Sequence, residues 1–255
     1  MFSSCSEDVI TVDLKKVAPR IVIDGTITDQ EEPCTVKITK TVDYFKPGEY
    51  PAVSGAVVTV SDDAGNFDTL EETDQGVYQT TKVKGAEGRT YTLKVIAEDQ
   101  EYIAISTMPQ AAEIDSVKCE FETHYGEKES VIYCYFRDRI GIEDLYRFRI
   151  YKNGIIDNSS YQLYNDRLSD GKAFEYEFFE YTDFTVGDTL TVELRTIDRA
   201  TYDYFLTMFD ALATYEEGNY IFTSVPGNPV SNINNGALGC FSAYTRRFKT
   251  IVLQE

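Results

Sequence analysis

Residues Thr35–Thr41 read TVKITKT. In an extended chain this puts Val36 and Ile38 on one side and Lys37 and Thr39 on the other, the alternation of a half-buried β-strand. The same habit recurs on both sides of it. Upstream, Pro19 precedes Arg20–Ile27, RIVIDGTI, whose apolar residues suit a buried strand. Downstream, Ala56–Ser61 follows a Pro- and Gly-containing loop, Lys46–Gly55, and Asp63-Ala64-Gly65-Asn66 is turn chemistry. Strands are expected again at Gly76–Thr81, Thr90–Ala97 and Tyr102–Thr107. With a strand-like patch at Val9–Leu14, seven short strands at this spacing predict an immunoglobulin-like or transthyretin-like β-sandwich.

The fold class that follows is mainly β: two β-sandwich domains, the second carrying one covering α-helix. Residues 1–18 form an extended leash, 19–108 the first sandwich, 109–114 a linker, and 115–255 the second sandwich. The second half begins with a hairpin of Ser116–Thr123 and Ser130–Phe136, then continues through Leu145–Lys152 to a turn at Asn153-Gly154. Ala173–Tyr181 and Thr189–Ile197 come next. The period then changes to that of a helix near 199–215, opened by Asp198 as N-cap, with Tyr202, Phe205, Phe209 and Leu212 on one stripe and Met208 beside them. Two last strands are expected, Ala237–Tyr244 and Arg247–Leu253.

Composition narrows the function. Lys and Arg number 24 against 43 Asp and Glu, a formal charge of −19, which repels phosphate backbones and excludes nucleic acid as a natural partner. The chain has 19 Tyr and 15 Phe but no Trp. Tyr can offer a ring face and a hydroxyl to a sugar, although most of these rings are expected in strands and core edges.

Recognisable catalytic chemistry is sparse. The one His, His124, sits beside the hairpin turn and cannot by itself build a multi-His metal site or a triad. There is no G-x-S-x-G, H-E-x-x-H, phosphate-loop or dinucleotide motif, so no catalytic residue and no cofactor is assigned. Asp157-Asn158, Asn165-Asp166 and Asp170-Gly171 bring hard oxygen ligands into loops, but their spacing is not that of an EF-hand and turn formation accounts for them; no metal is assigned.

Five cysteines are present. Phe2-Ser3-Ser4-Cys5 resembles the lipobox of bacterial lipoprotein precursors, in which the Cys becomes an acylated N-terminus, and Ser6-Glu7-Asp8 resembles an acidic export tag of Bacteroidetes lipoproteins. Cys5 is therefore the candidate lipidation site, with an unmodified thiol as the alternative. A two-residue turn at Gly126-Glu127 would set Cys119 opposite Cys134, either as a disulfide or as two buried thiols. Cys34 and Cys240 read as single buried cysteines.

Ordered blocks along the chain carry a family resemblance: RIVIDGTIT from Arg20, SGAVVTVSDDAG from Ser54, GVYQT from Gly76, TYTLKV from Thr90, STMP ending at Pro109, YDYF within the helix, and PGNPVSNINNGALGCFSAYT from Pro226. Together they resemble the Bacteroidetes surface lipoproteins of unknown function that are encoded beside TonB-dependent receptors. The resemblance implies two β-domains, an outer-membrane address facing the cell exterior and no established catalytic residues. Cys240 stands where that pattern leads one to expect a small aliphatic residue. The tripeptides Asp68-Thr69-Leu70, Asp115-Ser116-Val117 and Asp188-Thr189-Leu190 also resemble an envelope-protein O-glycosylation sequon.

Three function classes follow. The first is a non-catalytic surface lipoprotein, held in the outer membrane by its lipid and serving a TonB-dependent transporter, with other surface lipoproteins, as an accessory binding component for nutrient uptake. Its candidate glycan or peptide contact is Tyr161, Tyr164, Asn165, Asp166, Tyr181 and Phe184, a cluster of aromatics and amides in loops. The alternatives are a fimbrillin-like structural or adhesion subunit, with Arg20 as a processing site, and a carboxylate-dependent hydrolase.

Overall fold

The computed structural model describes residues 18–42, 48–124, 127–157, 162–167, 171–178, 184–216 and 227–254. Cys5 and nearly all of the expected leash lie outside them. In chain order the strands are β1 (Ile21–Thr28), β2 (Thr35–Lys40), β3 (Val57–Asp62), β4 (Phe67–Thr69), β5 (Glu71–Asp74), β6 (Val77–Gln79), β7 (Thr90–Ala97) and β8 (Gln100–Thr107). They continue as β9 (Ile114–His124), β10 (Glu127–Arg137), β11 (Leu145–Lys152), β12 (Ile155–Ile156), β13 (Gln162–Asn165), β14 (Ala173–Phe178) and β15 (Thr189–Thr196). The helix α1 (Arg199–Glu216) and β16 (Leu238–Val252) complete the order.

One large sheet runs β12-β11-β15-β16-β1-β2-β6-β5, with β13 also paired to β11. Two small sheets, β4-β3-β7-β8 and β14-β10-β9, lie beside each other on one of its faces. Alternation explains the layering. Ile23, Ile27, Val36, Ile38, Phe241 and Ala243 point from the large sheet into a first core with Val58, Val60, Leu93 and Val95 of the first small sheet. Tyr146, Phe148, Ile150, Val192 and Leu194 point into a second core with Ile132, Cys134, Phe136 and Phe178. That second core is aromatic: Phe136 meets Tyr146, Phe148 and Phe174 edge-on at centroid distances of 5.0, 5.6 and 5.9 Å.

The fold class is thus β-sandwich architecture with one helix, but β16 belongs to both sandwiches. Its first half pairs in parallel with β1, from Val22 opposite Leu238 to Thr28 opposite Tyr244, and its second half runs antiparallel to β15, from Thr196 opposite Thr245 to Thr189 opposite Val252. The two short strands expected at the C-terminus are one strand of 15 residues. The division at residue 115 therefore does not hold there, because Ile233, Ala237, Phe241 and Ala243 are buried in the first core.

Where β15 has ended, β16 presents an open edge whose backbone groups need partners. Side chains supply them. The Asn232 amide accepts from Phe241 N–H at 3.0 Å and donates to Phe241 C=O at 2.7 Å. Ser106 Oγ accepts from Ala243 N–H at 2.8 Å, and Ser231 Oγ donates to Gly239 C=O at 2.7 Å.

The cysteine hairpin is also in a different register. Cys119 stands opposite Ile132, and Cys134 opposite Val117. All four described cysteines, Cys34, Cys119, Cys134 and Cys240, are free thiols. The strands end at His124 and resume at Glu127, one residue earlier than a turn at Gly126-Glu127 requires. That moves the pairing by two residues.

Candidate functional site

The face of the large sheet turned away from both cores carries the unusual residues. On β11, Tyr146, Phe148 and Ile150 take the core positions, which leaves Arg147, Arg149 and Tyr151 on the other side. On β15 the same rule places Glu193 and Arg195 on that face; on β16 it places Cys240, Ser242, Tyr244 and Arg246 there, and on β1 Asp24 and Thr26. Arg147 stands directly opposite Arg195, Arg149 opposite Glu193, and Arg195 opposite Arg246. Four guanidiniums thus converge on one patch of a protein whose net charge is −19.

The helix covers part of this face. Asp198 fixes its start: Oδ1 accepts from Thr201 N–H at 2.9 Å as an N-cap, while Oδ2 accepts from Ser106 Oγ at 2.7 Å and Thr107 N–H at 3.1 Å. Thr201 Oγ1 donates to Ser242 Oγ at 3.0 Å, and Tyr202 is buried. Beyond this first turn the contact loosens. Phe205 and Phe209 are half-buried and Leu212 is exposed, so the stripe read from the sequence is seated at its N-terminal end only. Between helix and sheet lies a cavity of about 390 Å³, lined by Asp24, Arg147, Arg149, Arg195, Tyr204 and Phe205 together with Met208 and Cys240.

The arginines are not equivalent. Arg195 holds Glu193 through Nε at 2.7 Å and Nη2 at 3.1 Å. The same carboxylate accepts from Arg246 Nε and from the Tyr151 hydroxyl, each at 2.6 Å, and Arg246 also pairs with Glu32. Burial alone would raise the Glu193 pKa, but the Arg195 charge and these hydrogen bonds outweigh it and bring the group down to about 2. Arg147 and Arg149, by contrast, make no ion pair or hydrogen bond through their guanidiniums among the described residues. Arg147 Nε is sealed from solvent without an acceptor, and the group lies 3.7 Å from the centroid of Phe205. Burial, and then repulsion from Arg195 and Arg149, pulls the Arg147 pKa down to about 10; Arg149 is lowered by burial and then by Arg195.

Such a site favours binding over nucleophilic chemistry. The Cys240 thiol is pushed up to about 12 by burial and is protonated at neutral pH. Desolvation beside the helix raises the Asp24 pKa, against the opposing charges of Lys37 and Arg147.

The contact surface read from the sequence is a different place. Tyr161 and Tyr181 lie outside the described residues. Tyr164 stacks on Phe174 at 4.6 Å against the second core, and Phe184 is buried in that core. Asn165 donates to the Tyr202 hydroxyl at 3.3 Å. Asp166 is buried and accepts from Asp144 N–H at 2.8 Å. Tyr164 and Phe184 pack the second sandwich, because the pairing of β13 with β11 sets Tyr164 beside Tyr146 on the core face, while Asn165 lies on the opposite face beneath α1. Sequence reasoning passed over the arginine face, although its signal is visible in Arg147-Phe148-Arg149: charges alternating with apolar residues on a strand expected to lie under a helix.

Asp166 also takes part in a cluster with Asp138 and Asp144, all buried, with one oxygen from each within 4.8 Å of the others. Protein donors already serve these carboxylates. Asp138 accepts from Tyr146 Oη at 2.6 Å and Gly171 N–H at 3.0 Å, and Asp144 accepts from Arg139 Nε at 2.8 Å. Arg139 supplies positive charge within the cluster, which ties β10, β11 and β13 together. Of the loop oxygens weighed for a cation, Asn158 and Asp170 lie outside the described residues, and Asp157 is not in this group.

A family model described as Domain of unknown function (DUF4249) matches residues 7–250. No curated protein matches the chain.

Proposed function

The chain belongs to the DUF4249 family, and we propose, from its N-terminal sequence and its helix-covered cavity, that it is a non-catalytic, lipid-anchored protein of the outer cell surface that serves as an accessory binding component of a TonB-dependent nutrient-uptake complex. The observation that carries the binding role is the cavity between α1 and the large sheet. Its 390 Å³ falls within the range of small-molecule sites, and it combines apolar walls with a few unpaired charged groups. The anchor is argued from Phe2-Ser3-Ser4-Cys5 and the acidic residues after it. Each acyl chain contributes about 0.8 kcal/mol per buried methylene, so two or three chains on Cys5 hold the protein at the membrane. No described helix is long and apolar enough to cross a membrane.

Purification from native membranes in mild detergent tests the reading. The expected result is intact-mass evidence of acylation at Cys5, a TonB-dependent transporter in the same fraction, and sensitivity to protease added to whole cells. An unmodified Cys5, or a protein that purifies without any transporter, overturns it.

A further inference from the structure

The charge around the cavity does not close. Arg195 and Arg246 are matched by Glu193 and Glu32, which leaves Arg147 and Arg149 facing Asp24 alone. Asp24 makes no ion pair or hydrogen bond through its carboxylate among the described residues, so neither guanidinium has a counter-charge at hydrogen-bonding distance. Arg147 Nε is a sealed donor with no acceptor, which is costly, and a planar oxyanion matches the donor fork of a guanidinium. The opposite wall is apolar or aromatic: Phe205, Met208, Ile197 and the ring of Tyr204.

We infer that this cavity takes a small organic monocarboxylate, with its oxygens on Arg147 and Arg149 and its apolar body against Phe205 and Met208. One carboxylate offers two oxygens to the two unpaired guanidiniums, and the apolar wall favours a carboxylate with a hydrocarbon part over inorganic phosphate. This assignment rests on the reading of the cavity as the binding site of the proposed surface protein. It is tested on the purified chain with no transporter present, so a failure here leaves acylation and co-purification to be judged separately.

The probes are hexanoate, hexan-1-ol and inorganic phosphate, followed by calorimetry on the wild type, Arg147→Met and Arg149→Gln. Met preserves an unbranched apolar stem beside Phe205, and Gln at 149 keeps the test available should the first variant fail to fold. The expected result is saturable one-to-one binding of hexanoate, with hexan-1-ol and phosphate weaker by about tenfold or more and hexanoate weakened by about tenfold in each folded variant. Hexan-1-ol or phosphate binding as tightly as hexanoate overturns the inference. So does hexanoate binding that is absent from the wild type or unchanged in both variants.

Discussion

Gly239 lies so close to the backbone of Ile23 that a β-carbon placed on it would sit 2.0 Å from the Ile23 carbonyl oxygen. The residue also has φ +94°, a left-handed value rarely adopted by L side chains. These two constraints meet where β1 and β16 run in parallel, with Ile23 and Gly239 as register partners. Gly239→Ala is expected to cost upwards of about 3 kcal/mol, or to prevent folding. Gly236→Ala, which adds its β-carbon in open space at φ +74°, should cost only about 1 kcal/mol. Urea denaturation of both variants reads the difference, and equal losses would place the effect in the backbone angle alone.

Asn232 stands in for a missing strand at the open edge of β16. Its replacement by Ala strands Phe241 N–H and C=O in a part-buried setting, and a loss of about 2–3 kcal/mol is expected. Asp keeps the acceptor and loses the donor, so Asn232→Asp should fall between wild type and Ala at neutral pH. Equilibrium unfolding that leaves all three superimposed would remove this role.

Arg147→Met should stabilise the ligand-free protein by about 1–3 kcal/mol, since it removes a part-buried charge whose sealed Nε has no acceptor and keeps packing beside Phe205. The gain is read as a higher midpoint in guanidinium. A destabilised variant would mean that Arg147 has a partner in solution.

Acid titration should expose Glu193. Its folded pKa, near 2, lies below its ordinary 4.5, so its contribution is fully present above about pH 4.5 and is lost as pH falls towards 2. The contribution is on the order of 3 kcal/mol. Asp24 works in the opposite direction, because its raised pKa favours the folded state as protons bind. Glu193→Gln should lower stability at pH 7 and flatten the loss between pH 4.5 and 2. A variant with the same acid profile as wild type would contradict the assignment.

Thiol chemistry checks the hairpin register. Burial raises Cys34, Cys134 and Cys240 to about 12, and Cys119 to about 11. At neutral pH the folded protein should label slowly, with half-buried Cys119 first. After denaturation without reductant, all four should react. A pair that reacts only after reduction would restore the bridge between Cys119 and Cys134.

These same elements show what could be read from residue order alone. Leu145–Lys152 and Thr90–Ala97 were legible to the residue because one face is core and the other is not. Glu71–Asp74 was invisible: every residue of this edge strand is exposed, so it has no apolar period. The long β16 reads as two strands parted between Tyr244 and Arg247, where Arg246 and Arg247 set two charges side by side. In the fold they point to opposite faces: Arg246 reaches Glu193 and Glu32, while Arg247 reaches Asp29, Glu87 and Glu113. The hairpin register was missed for a related reason. A slip of two residues leaves every side chain on its original face, so the hydrophobic pattern cannot detect it. The arginine cavity draws on four strands and a helix, and no local window contains it.

The placement of β16 also bears on how the chain assembles. Each core needs a strand that follows nearly every other described residue, and the pairing of Val22 with Leu238 joins segments at opposite ends of the described chain. Contacts so distant in sequence form late and slow the search for the native state. Early pieces of the polypeptide can collapse locally but remain unsealed. Arrival of the closing segment then locks both halves in one concerted step, so thermal unfolding should show a single transition in which the two sandwiches melt together.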